Sequence, residues 1–235
     1  IIQKRIDAGA MPLYTMGHMD IKRQYSTVGI TGIYEAATIL GYDMLTEEGQ
    51  KFVEGLLSVV HLQNDYSQKE YGYPHNVEQV PAENSSVKLA AKDTLLGYNP
   101  NGYSLYSNQF LPLTADANLI DRITIQGRFD GLFSGGAICH LNLAEKVDAD
   151  TIENLIKYAA SKGVIYFAIN YALNRCEQGH MSVGMNTTGK CPICDSPITD
   201  TFTRVVGFLT NTKHWNQVRR EEEWPHRNFY ELPLR

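Results

Sequence analysis

The chain has 235 residues, 43% hydrophobic and 20% charged, with a formal net charge of −5. That length supports one large or two modest cored domains, and the acidic balance gives nucleic acid no basic surface to bind. No run of eighteen apolar residues offers a membrane span, and the opening IIQKRIDAGAMP lacks the apolar core and cleavage site of a signal peptide.

Residues 1 to 12 and the stretch GIYEAATILGYD carry Leu, Ile and Ala at helical spacing. The opening inside a helical pattern, without methionine, is expected of a fragment or a processed chain. Between these helices, Gly29 and Gly32 interrupt the short β-branched run YSTVGITG. A helix is expected over residues 46 to 62, with Thr46 as N-cap and acids in its first turn, followed by loop and strand to residue 80. Asn84, Ser85 and Ser86 are capping residue types before a helical VKLAAKD, and a helix start of this kind presents free N–H groups to an anion.

The stretch YSLYSNQFLPL reads as extended, and DRITIQGRFDGLFSGGAICHLNL as short strands with glycine turns, ending in a buried strand after Gly135 and Gly136. DADTIENLIKYAASKG is a capped helix closed by Gly163, and VIYFAINYAL after it is a buried strand. Helices alternating with short apolar strands indicate an α/β fold.

Residues 176 to 194 read CEQGHMSVGMNTTGKCPIC. Cys176, His180, Cys191 and Cys194 form two close pairs joined by a glycine-containing loop, the spacing that a tetrahedral Zn2+ requires. Were His180 a bystander, Asp195 or a water would complete the site. Four protein ligands leave no open position, so the metal is expected to be structural. Clustered thiols in a chain without a signal peptide point to metal in a reducing, cytoplasmic setting.

Downstream lies TFTRVVGFLTN, where Gly207 sits in a strand-like run of Val205, Val206, Phe208 and Leu209. A bulge, a tight bend or a close backbone approach would each account for it. A cysteine knuckle followed by R-V-V-G-F, however, resembles the carboxy-terminal portion of anaerobic (class III) ribonucleoside-triphosphate reductase, a glycyl radical enzyme. The upstream stretches YSTVGITGIYEAA, VPAENSSVKLAAKD, YSNQFLPL and SGGAICHLNL, and the tail KHWNQVRREEEWPHRNFY, resemble the same reductase in the expected order. Two departures stand out: Phe208 replaces a frequent tyrosine, and C-x3-H replaces the family's first C-x2-C.

The resemblance implies the carboxy-terminal half of a ten-stranded α/β barrel of the glycyl radical type. Residues 1–170 would supply barrel, 171–200 the zinc-binding segment, and 201–235 the radical loop and tail. It implies that Gly207 stores the radical, because delocalisation into both flanking amides needs a planar Cα without a side chain. A separate iron–sulfur activase would install it using S-adenosylmethionine, and the radical would generate a thiyl that starts reduction of a ribonucleoside triphosphate. The family places the thiyl cysteine upstream of this chain, so Cys139 reads as a buried structural residue. Asn84, Ser85 and Ser86 would hold the substrate phosphates, while Glu83 and His140 have core or capping roles. The implied partners are the amino-terminal part of the reductase, the activase and a second copy in a homodimer, with no membrane and no nucleic acid. The rival readings are a formate-lyase-like glycyl radical enzyme, which lacks cysteines before its motif, and a zinc-ribbon binding module.

Overall fold

The computed structural model describes residues 1–232. The helix expected over residues 1 to 12 is two, α1 (Ile2–Asp7) and α2 (Pro12–Thr15), because Gly9 turns at φ +71° and Pro12 can only start a new helix. Strand β1 (Ser26–Ile30) runs through Gly29, where an added Cβ would lie 2.5 Å from Val80 Cγ1. Helix α3 (Ile33–Ile39) follows, and then α4 (Glu47–Tyr71), which Thr46 caps by accepting from the Gly49 N–H at 3.2 Å. The expected end at residue 62 is thus too early. No glycine or proline interrupts the polar continuation until Gly72, and Asn64 is buried on it, donating to the Asn76 carbonyl at 3.3 Å.

β2 (His75–Gln79) leads into α5 (Ser85–Leu96), and α6 (Leu119–Asp130) occupies the stretch expected to be strand and turn. The alternating apolar residues of RITIQ suggested a strand, but Asn118 starts a helix by accepting from the Asp121 N–H at 2.9 Å. The residues YSLYSNQFLPL form no strand; the Arg122 guanidinium fixes their end by donating to the Leu111 and Pro112 carbonyls at 2.6 and 2.7 Å. β3 (Cys139–Asn142) and α7 (Ala149–Ser161) come next, with Gly163 at φ +90° just past the helix as expected. VIYFAINYAL is not one strand: β4 (Phe167–Asn170) and β5 (Leu173–Cys176) lie in different sheets.

β1 pairs with β2 and β3 with β4, both in parallel, and a bridge from Glu78 to Gly136 links the two pairs. β5, β6 (Met181–Val183), β7 (Ile198–Arg204) and β8 (Leu209–Asn211) form an antiparallel sheet in the order β6-β5-β7-β8. The molecule is therefore mixed α/β. One apolar cluster gathers Ile33, Val53, Leu57, Val77, Phe110 and Phe129; a second gathers Leu119, Ile123, Cys139, Leu141, Leu155 and Ala159. Side chains alternate along β3, so Cys139 and Leu141 enter the second cluster while His140 and Asn142 turn to the opposite face and meet Asn170.

Candidate metal centre and glycine loop

β5 ends on Cys176, and a turn through Gly179, at φ +84°, returns the chain to His180 just before β6. The Cys176 N–H donates to the His180 carbonyl at 3.1 Å, which closes this half of the site. On the other half, the Asp195 N–H donates to the Cys191 carbonyl at 2.9 Å and the Ile193 N–H to the Cys191 sulfur at 3.4 Å. The four ligand atoms of Cys176, His180, Cys191 and Cys194 all lie within 4.8 Å of one another. Cys176 Sγ is 3.8 Å from Cys194 Sγ and 3.7 Å from His180 Nδ1. Tetrahedral Zn–S bonds of about 2.3 Å set sulfurs about 3.8 Å apart, so the residues fit the ion. Asp195 is turned away into an ion pair with Lys190 at 2.8 Å. Hydrogen bonds with Ser196, and then with His180, bring the Cys194 thiol down to about 6, favouring the thiolate that a metal binds.

β7 and β8 are joined by residues 205–208, a loop closed by the Val205 N–H donating to the Phe208 carbonyl at 3.1 Å. Gly207 lies in it, and neither ordinary reason for a glycine applies. Its φ is outside the left-handed region, and an added Cβ would find nothing within 4 Å among the described residues. Val205 and Val206 are buried with Trp215, whereas Phe208 is 71% exposed. Arg204 Nη1 donates to the Gly207 carbonyl at 2.6 Å. The buried Arg227 reaches the Arg204 and Val205 carbonyls, the first at 2.7 Å, stacks on Trp215 at 4.6 Å and pairs with Glu223 at 2.9 Å.

Asn84 and Ser85 are exposed at the start of α5, while Ser86 is buried. Asn84 has helical dihedrals and makes no capping bond, contrary to its expected role; its Oδ1 instead accepts from Asn216 Nδ2 at 3.4 Å. Arg219 donates to Ser86 Oγ at 2.8 Å and to the Glu83 carbonyl at 2.9 Å. A cavity of about 250 Å³ runs from Glu83 and Asn84 to Val205 and Phe208, bringing this helix start close to the glycine loop.

Residues 1–230 match the family described as anaerobic ribonucleoside-triphosphate reductase. The chain belongs to that family. It is similar to a solved anaerobic ribonucleotide reductase at 40% identity and TM-score 0.87, covering 98% of this chain and 38% of that one. The Thermotoga maritima anaerobic ribonucleotide reductase with glycerol in its active site matches at 39% identity and TM-score 0.80, over 95% of this chain and 37% of that one. The same enzyme in complex with dATP and CTP matches at 40% identity and TM-score 0.79, over 94% and 37%. The chain therefore spans well under half the length of these reductases. No curated protein matches it. Membership of the reductase family over nearly the whole chain displaces both the formate-lyase-like and the zinc-ribbon readings. Among the described residues, no helix is long and apolar enough to cross a membrane.

Within this reductase chain, Cys139 is fully buried and its thiol is pushed up to about 12 by burial, which keeps it protonated and a poor nucleophile. His140 is also buried; Asn170 Nδ2 lies 2.9 Å from its Nδ1, and its Nε2 meets no partner among the described residues. Burial and the charges of Arg227, Arg204 and Arg122 push its pKa down to about 3, so the ring is neutral near pH 7. Sequence reasoning missed Arg227 and Arg219 altogether. Charged residues are seldom buried, and nothing local in VRREEEWPHRNF distinguishes the arginines that turn inward.

Proposed function

We propose that this chain is the carboxy-terminal part of an oxygen-sensitive reductase that converts ribonucleoside triphosphates to deoxyribonucleoside triphosphates, with Gly207 as its radical store. The observation that carries this reading is a glycine that neither its conformation nor any described neighbour requires, following a Cys3His cluster along the sequence in a chain of this family. A separate activase uses an S-adenosylmethionine-derived alkyl radical to take one hydrogen atom from Gly207. One Cα–H bond breaks, one C–H bond forms on the adenosyl carbon, and the unpaired electron stays on the glycine. Buried Val205 and Val206 shield one side of the loop from stray hydrogen donors.

Residues 1–170 contribute the parallel strands of half a ten-stranded barrel, 171–200 the zinc segment, and 201–235 the loop and tail, of which residues 233–235 lie outside the described residues. Cys176, His180, Cys191 and Cys194 would hold Zn2+, which supplies structure rather than an open coordination site. Asn84 and Ser85 offer the helix start of α5 to the substrate phosphates, and Ser86 steadies it through Arg219. Three cysteines are gathered at the metal cluster and Cys139 faces the apolar core, so the thiyl comes from the amino-terminal part of the reductase. A homodimer working in the cytoplasm completes the reading.

Anaerobic EPR of the complete reductase, treated with activase, S-adenosylmethionine and a reductant, tests it. A doublet from the remaining α hydrogen is expected, absent in Gly207→Ala, and brief exposure to oxygen should cut the chain near Gly207. A zinc-loaded, folded reductase that stays silent under these conditions would sink the proposal.

A further inference from the structure

Arg204 ends β7 and stands opposite Leu209, the first residue of β8, across the glycine loop. Its guanidinium Nη1 donates to the Gly207 carbonyl at 2.6 Å, a short charge-assisted bond. The other contacts of the loop hold this donor in place. Arg227 binds the Arg204 carbonyl at 2.7 Å and also the Val205 carbonyl, and the Phe208 carbonyl accepts from the Val205 N–H. Of these carbonyls, the one belonging to the glycine itself takes a cation from the last residue of the strand that leads into the loop.

We propose that Arg204 tunes the radical through the Gly207 carbonyl, an inference that rests on Gly207 being the radical store. When the α hydrogen leaves, the unpaired electron spreads into the amide nitrogen on one side and the carbonyl on the other. The nitrogen gives electron density and the carbonyl oxygen collects it. A fixed cation at that oxygen stabilises the charge-separated form of the radical more than it stabilises the parent amide. Only that difference between the two states shifts the equilibrium towards the radical. A bond that merely closed the loop would hold glycine and radical equally.

The first test uses the wild-type reductase activated anaerobically after incorporation of arginine labelled with 15N in its guanidinium. Electron–nuclear double resonance on the glycyl doublet is expected to show a 15N coupling and an exchangeable proton at hydrogen-bond distance from the spin-bearing carbonyl. A doublet without either coupling overturns the proposal while leaving Gly207 as the radical store. No doublet at all removes the radical reading itself, and the proposal with it. The second test compares Arg204→Gln, which keeps a donor without the charge, with Arg204→Lys, which keeps the charge. In Arg204→Gln the doublet should show a wider g anisotropy and decay about tenfold faster without oxygen, with partial recovery in Arg204→Lys. Unchanged g values and decay in Arg204→Gln would reduce Arg204 to a loop-closing residue. Should the activase fail to charge a variant, the wild-type coupling decides.

Discussion

At the scale of single residues, two glycines make opposite demands. An added Cβ at Gly207 meets nothing within 4 Å among the described residues, whereas at Gly127, inside α6, it would fall 1.9 Å from the Lys162 carbonyl at the end of α7. Gly207→Ala should therefore leave stability within about 0.5 kcal/mol of wild type by urea unfolding while abolishing the radical signal. Gly127→Ala should cost about 2 kcal/mol or more, because the backbone there cannot retreat without parting two helices. Glu35 offers a pH test. It is 3% exposed, one of its oxygens accepts from the Ser107 N–H at 2.9 Å, and burial pushes its pKa from 4.5 up to about 7. The folded state thus binds this proton more tightly than the unfolded chain. Its contribution is full below pH 4.5 and is lost as pH rises through about 7, on the order of 3 kcal/mol in all. Glu35→Gln should flatten that part of the profile and gain on wild type at about pH 8, checked by urea unfolding at several pH values.

At the scale of elements, the β5–β8 sheet has little apolar interior of its own, and the Cys3His cluster ties its two cysteine-bearing turns together. Cobalt offered in place of the proposed zinc should give the visible absorption of a tetrahedral thiolate site, weakened in Cys194→Ser. Chelation should loosen residues 171–200 before the helical part, followed by hydrogen exchange. The cluster was legible in the sequence because its ligands sit close together along the chain. Capped helices such as α7 were legible for the same reason: Asp148 accepts from the Thr151 N–H at 2.7 Å, a purely local bond. Helix α6 was not, because RITIQ satisfies a strand alternation as well as a helix face. Its burial between two apolar clusters and its Asn118 cap decided the matter.

At the scale of the whole molecule, the tail is the clasp of the glycine loop. Glu223 pairs with Arg219 at 2.6 Å and with Arg227 at 2.9 Å; Arg219 reaches the start of α5, and Arg227 reaches the loop. Arg227→Met removes one partner of this buried group and should cost about 3–5 kcal/mol of stability, read by urea unfolding. The sequence by itself indicated the α/β class, the four residues of the Cys3His cluster and the family's R-V-V-G-F segment, because each is written in residues a few positions apart. Only the tertiary structure decided that Cys139 faces the core, that Ser86 is taken by Arg219, and that no described residue stands where a side chain at Gly207 would lie. Those facts depend on how separate elements meet in space: Cys139 on helices α6 and α7 closing over β3, and Ser86 on Arg219, more than a hundred residues away in the chain. No local pattern of polarity or periodicity records which distant group will arrive.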